Sequence, residues 1–141
     1  MTERAFLDTN VLVYVFDDDA GPKQERAQSI LADAASGGHV VSTQVLQEFF
    51  VVATRKLERP LKHEDAADAV AALARLPVAN LDAASVLAAI DRVGRHALSL
   101  WDALIVQAAV ESGCTRLLTE DLEGGQVIDG GRVEDPCREM P

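Results

Sequence analysis

An α/β fold with a central, mostly parallel sheet is what this sequence predicts. Short apolar runs alternate with longer segments of helical periodicity, and two of those runs have a carboxylate at or just past their carboxyl end. Sheets made from such alternating units are mostly parallel and covered on both faces. The 141 residues are 48% hydrophobic, enough apolar material for one compact core, so a single domain over residues 1–141 is expected.

The elements follow in order. Residues 4–7 read as a strand, broken by Asp8-Thr9-Asn10, and residues 11–16 continue as a short helix. Residues 17–22 form a loop by composition. Residues 23–35 carry Ala27, Ile30, Leu31 and Ala34 on one helical stripe, ended by Gly37-Gly38. Val40-Val41 with Ser42-Thr43 is a short buried strand, and residues 44–57 form a long helix that stops before Pro60. Residues 63–76 form an Ala-rich helix with acids in its first turns, and residues 78–81 a weak strand. Asp82 caps the next helix, which reaches about Ala97, and residues 100–112 form another that Gly113 ends. Residues 115–118 are a strand, Glu123-Gly124-Gly125 a turn and residues 126–128 a last core strand. Asp129-Gly130-Gly131 turns again, and the tail from Glu134 is polar and loosely held.

Composition excludes several classes. The hydrophobic fraction excludes wholesale disorder, and two cysteines, Cys114 and Cys137, exclude a disulfide scaffold. Cys114 reads as a small core residue and Cys137 as part of the tail, neither with an assigned role. The first residues do not fit a secretory signal, and no run of about 18 apolar residues would span a membrane. A soluble, cytoplasmic protein is therefore expected. The net charge of -10 opposes general affinity for nucleic acid, since attraction to phosphate needs a positive field. It suits a basic partner, or a site that gathers carboxylates around a cation. Ten of the thirteen basic residues are Arg, so local phosphate contacts remain open.

Four acids stand where an acid is costly. Asp8 follows Phe6-Leu7 at a strand's carboxyl end, the edge where open α/β sheets bind ligands; capping the next helix is the competing role. Glu48 has Val45, Val51 and Val52 at helical spacing, so it needs a cation, a proton or an ion pair such as one with Arg55. Asp102 opens a helix, before the buried run Ala103-Leu104-Ile105-Val106, with Ser99 as a rival cap. Asp121 follows the strand ending at Leu118 and Thr119, and as a lone residue reads best as part of a turn. Glu120 alternates to the other side of the chain. Together, such carboxylates would repel one another at one sheet edge unless a divalent cation holds them. Hard oxygen ligands suit Mg²⁺ or Mn²⁺, whereas scattered His39, His63 and His96 do not suit zinc. A metal among carboxylates acts naturally on phosphate, activating a water for in-line displacement.

These residues resemble a family. The segments 6–12 (FLDTNVL), 45–49 (VLQEF), 100–105 (LWDALI) and 118–122 (LTEDL) look, in order, like the four motifs of the PIN-domain nucleases. The segment 125–130 also resembles bacterial VapC toxins. The resemblance implies a parallel α/β/α sandwich, a Mg²⁺-dependent endoribonuclease, a homodimer and a cognate VapB-type antitoxin that blocks the site. Asp8, Glu48, Asp102 and Asp121 match the family's acidic quartet, and Thr9 or Asn10 and Thr119 its polar helpers. On this reading Asp8, Asp102 and Asp121 hold the metal directly or through water. Glu48 orients the attacking water or completes the metal shell, and the product carries a 5′-phosphate. The Asp17-Asp18-Asp19 run is richer in acid than the pattern requires and reads as a solvated loop.

Three rivals compete. A phospho-receiver domain has similar length and acids at strand ends, but needs a Lys after a late strand, and Lys23, Lys56 and Lys62 are all early. A nucleotide-binding domain lacks its glycine-rich loop after the first strand, where Asp8-Thr9-Asn10-Val11 stands instead. A PIN-like binding module without catalysis is disfavoured by the presence of all four acids. Arg55, Arg92, Arg95 and Arg116 are candidates for phosphate contact, each equally a surface ion-pair residue.

Overall fold

The computed structural model describes residues 4–122 and 126–138. Strand β1 (Ala5–Leu7) is followed by helices α1 (Thr9–Phe16) and α2 (Pro22–Gly37), then by β2 (Val41–Ser42). Helices α3 (Thr43–Arg55) and α4 (His63–Leu73) lead to β3 (Val78–Ala79). Helices α5 (Ala83–His96) and α6 (Leu100–Glu111) precede β4 (Arg116–Leu118), β5 (Val127–Ile128) and β6 (Gly131–Glu134).

Local chemistry sets the boundaries. Ser42, Asp82 and Ser99 each cap a helix by accepting from a backbone N–H three residues on. Helix α2 begins with Pro22 and ends at Gly38, whose φ of 71° is the left-handed conformation a glycine adopts without cost. Helix α4 stops at Leu73, short of the expected residue 76, because residues 74–76 tighten into a turn ahead of Pro77.

Strand β1 pairs parallel with β4, and β4 parallel with β6. On the other side, Val40 exchanges backbone hydrogen bonds of 2.9 Å with Ala5 and Leu7, bringing the parallel pair β2–β3 beside β1. The order across the whole is β3-β2-β1-β4-β6-β5. From β1 the chain turns one way, through α1 and α2 to β2, and only much later lays β4 on the opposite side. The gap between the carboxyl ends of β1 and β4 is therefore the switch point, where open α/β sheets hold ligands.

The core packs around Phe6, Leu7, Leu12, Val45 and Phe49, all fully buried. Helix α6 buries every residue from Ala103 to Ala109, so it has no solvent stripe and runs as an internal helix against α5 and β4.

The C-terminal region corrects the sequence reading. Residues 126–128 are not the last core strand: β5 is an antiparallel edge strand, and its Val127 is 66% exposed. The last strand is β6, whose Val133 is buried against the sheet. Asp129 and Gly130 have φ of 48° and 87°, the two-residue hairpin loop that Asp-Gly favours. Gly131 is therefore strand rather than turn. Glu134 belongs to β6 and pairs with Arg116 at 2.6 Å instead of opening a loose tail. The turn expected at 123–125 lies outside the described residues.

Candidate active site

The carboxyl end of β1 delivers Asp8 into the switch point. Its backbone N–H continues the sheet ladder to the Leu118 carbonyl at 3.0 Å, which holds the residue against the end of β4. The side chain caps α1 by accepting from the Thr9 N–H at 2.7 Å, so the competing role is real. That bond uses only Oδ1. Oδ2 accepts from the Thr119 hydroxyl at 2.7 Å, across the gap between the two strands. Asp8 is 3% exposed and Thr119 fully buried.

Thr119 joins the rest of the site. Its Oγ1 also accepts from the Asp121 N–H at 3.0 Å and from the Asn10 amide at 3.4 Å. The Asn10 carbonyl oxygen accepts from the Glu120 N–H at 3.3 Å, so α1 and the loop after β4 are stitched together. Glu120 itself turns away: it accepts from the Tyr14 hydroxyl at 3.1 Å and pairs with Lys23 at 3.2 Å.

Helix α3 brings Glu48. Thr9 donates from its hydroxyl to Glu48 Oε2 at 2.9 Å, and Gln44 from its amide to Oε1 at 2.9 Å. Glu48 has no ion pair with Arg55, which is exposed at the end of α3. Helix α6 brings Asp102. Ser99 is the cap there, accepting from the Asp102 N–H at 3.1 Å, which leaves the Asp102 carboxylate uncommitted to capping. Asp121 stands exposed at the rim.

The four carboxylates feel one another. Burial pushes the Asp8 carboxyl up to about 6; hydrogen bonds from Thr119 and Thr9 oppose this, while the charges of Asp121 and Glu48 add to it. Asp121 is also raised, first by partial desolvation of its carboxyl and then by the charge of Asp102; a hydrogen bond from Asn10 opposes this, and Glu120 and Glu48 add smaller contributions. Among the described residues, no Lys, Arg or His pairs with any of the four. The arrangement is open: no three of them have oxygens all within 4.8 Å of one another. The one His, Cys, Asp and Glu trio that close among the described residues is Glu120, Asp135 and Cys137, where Lys23 already neutralises Glu120.

The arginines suggested for phosphate contact are mostly engaged elsewhere. Arg92 is buried and paired with Asp129, Arg95 pairs with Asp91 and Asp129, and Arg116 pairs with Glu134. In the acidic loop, Asp19 accepts both bonds of a fork from Arg59, and Asp18 accepts from Gln24. Sequence reasoning missed Gln44. The signal was its position four residues before Glu48, one helical turn away on the same face.

Fold and site together define a doubly wound α/β domain that collects carboxylates at the switch point of a mostly parallel sheet. The chain belongs to the PIN-domain family, whose PIN domain model matches residues 5–126. No curated protein sequence matches it significantly. Among solved structures it is similar to a toxin–antitoxin complex from Klebsiella pneumoniae, at 22% identity and a TM-score of 0.70 over 94% of this chain and 97% of that one. It is similar to the DNA-bound VapBC of Salmonella typhimurium at 22% identity and a TM-score of 0.68, over 97% and 100%. VapC20 of Mycobacterium tuberculosis, a sarcin-ricin loop cleaving toxin, matches at 19% identity and a TM-score of 0.65, over 83% and 89%. These likenesses establish the same fold. No helix of the described residues is long and apolar enough to cross a membrane.

Proposed function

We propose that the chain, as a single PIN domain, is a metal-dependent endoribonuclease and the toxin of a type II toxin–antitoxin pair. The observation that carries this reading is the junction of Asp8, Thr119, Thr9 and Glu48 at the switch point, with Asp102 and Asp121 close enough to register electrostatically. The donor set fits a hard divalent cation, Mg²⁺ or Mn²⁺. It offers carboxylate oxygens, Asp8 is buried, and no cationic side chain among the described residues balances the charge.

Such an ion, when bound, would acidify a water and neutralise phosphoryl oxygens during in-line displacement. The chain's own residues do the rest. Asp8, Asp102 and Asp121 would hold the cation, directly or through water. Thr119 and the Thr9 N–H fix the two oxygens of Asp8, and Asn10 braces Thr119. Glu48, gripped at both oxygens, keeps lone pairs free to orient the attacking water or to complete the metal shell. Attack in line with the 3′ oxygen leaves a 5′-phosphate product.

The structural neighbours support the partner reading: several of them are toxin–antitoxin complexes. A VapB-type antitoxin that covers the site, a homodimeric toxin and a cytoplasmic location go with this function.

The test is cleavage of a mixed single-stranded RNA pool by purified, antitoxin-free protein, with and without Mg²⁺, beside Asp8→Asn. Cleavage that needs the metal and vanishes in the variant supports the proposal. Persistent cleavage by a rigorously purified Asp8→Asn protein would falsify it.

A further inference from the structure

Gln44 lies in the first turn of α3, one helical turn before Glu48. Its amide nitrogen carries two protons and no lone pair to share. One proton goes to Glu48 Oε1 at 2.9 Å and the other to the Trp101 carbonyl at 3.3 Å. Trp101 directly precedes Asp102 in the first turn of α6. A single side chain thus touches the Glu48 carboxylate and the peptide that joins Trp101 to Asp102. On the other side, Thr9 holds Glu48 Oε2 and is itself the neighbour of Asp8. Glu48 is fastened toward β1 by Thr9 and toward α6 by Gln44.

We infer that Gln44 is a positioning residue: it fixes Glu48 relative to the start of α6, and so sets how tightly the carboxylates hold a divalent cation. The inference rests on the metal-dependent reading above. Three physical points carry it. A free Glu side chain samples several rotamers, and convergence on an ion costs that freedom unless it is already lost. Like charges at Asp8 and Asp121 push Glu48 outward, and a neutral donor on each oxygen opposes this without cancelling the charge the ion requires. Groups that hydrogen-bond to metal-binding carboxylates change affinity or activity about 10–100-fold when they are removed.

Gln44→Met keeps the length and helical preference of the side chain and removes both protons. Gln47→Met makes the same change at an exposed position of the same helix. Binding of Mn²⁺ to the full chain, read from the electron paramagnetic resonance of free Mn²⁺ without RNA, is compared for the wild type, both Met variants and Asp8→Asn. Thermal unfolding in EDTA accompanies each. The expected result for Gln44→Met is Mn²⁺ affinity about 10-fold weaker, with the metal-free Tm within about 2 °C of wild type. Gln47→Met should match wild type in both.

Wild-type affinity in Gln44→Met would overturn the inference and leave the nuclease reading standing. A large loss of metal-free Tm in Gln44→Met would also overturn it, in favour of a purely structural role. Mn²⁺ binding that is absent, or unchanged in Asp8→Asn, would instead overturn the metal reading and this inference with it.

Discussion

Replacing Asp8 with Asn should make the metal-free protein more stable at neutral pH. Burial and neighbouring charges raise the carboxyl from its ordinary 3.8 to about 6 in the folded state. In the unfolded chain it ionises near the ordinary value. Below that value both states hold the proton and folding is unaffected. As pH rises from about 4 to about 6, the unfolded state releases its proton first, and the folded state loses stability relative to it. Above about 6 the loss is complete and constant. A shift of roughly two units at about 1.4 kcal/mol each gives close to 3 kcal/mol. Asn escapes that loss but gives up a charged acceptor for the Thr119 hydroxyl, at about 1 kcal/mol. A net gain of about 2 kcal/mol remains, roughly 6–8 °C in Tm for a chain of this size. Urea unfolding in EDTA from pH 4 to 8 reads it directly. The advantage of Asn should be absent near pH 4, grow to pH 6 and then level off. Added Mg²⁺ should reverse the ranking by stabilising only the wild type. A variant no more stable than wild type at pH 7 in EDTA, or an advantage that ignores pH, would refute the reasoning.

Three further outcomes are expected. Thr119→Val keeps the shape of a fully buried side chain but strands Asp8 Oδ2 and the Asp121 N–H. It should cost about 1–3 kcal/mol in urea unfolding and drive the Asp8 carboxyl still higher, as carbon NMR titration would show. Asp102→Asn removes a charge that raises Asp121, so the same titration should find the Asp121 carboxyl moved back toward its ordinary value. Arg92→Met breaks an ion pair between a buried guanidinium and the solvent-facing Asp129, which keeps Arg95, and a 2.9 Å bond to Gln107. Thermal unfolding should show a loss of about 1–2 kcal/mol, while Mn²⁺ affinity stays unchanged, because none of its partners is among the four carboxylates.

Much of this was legible in the residues. Asp8 could be placed because the apolar run before it is short and the residues after it change to helical spacing. Ser99, Asp82 and Gly38 announced helix ends through capping chemistry that acts within a few residues. The hairpin was misread although its signal was present: Asp-Gly between residues able to pair reads as a two-residue loop, but the glycines at 130 and 131 suggested a longer turn. What could not be read was which donors would meet each acid. Thr119 sits 111 residues from Asp8 and Thr9 sits 39 from Glu48, distances over which only the topology decides. The exclusion of Arg55 from Glu48 is of the same kind. Helical spacing allows several partners, and the packing of α1 against α3 selects Thr9.

The pairing of β1 with β4 also orders events during synthesis. Strand β1 is a central strand of the sheet, and its partner on one side is made more than a hundred residues after it. Until that partner arrives, Phe6 and Leu7 have a neighbour on one flank only, and Asp8 lacks the Thr119 hydroxyl. The four acids are drawn from positions 8, 48, 102 and 121, so a nascent chain that has exposed three of them still has no assembled site. Under the proposed nuclease function, activity toward RNA would therefore appear only after Thr119 and Asp121 have joined Asp8.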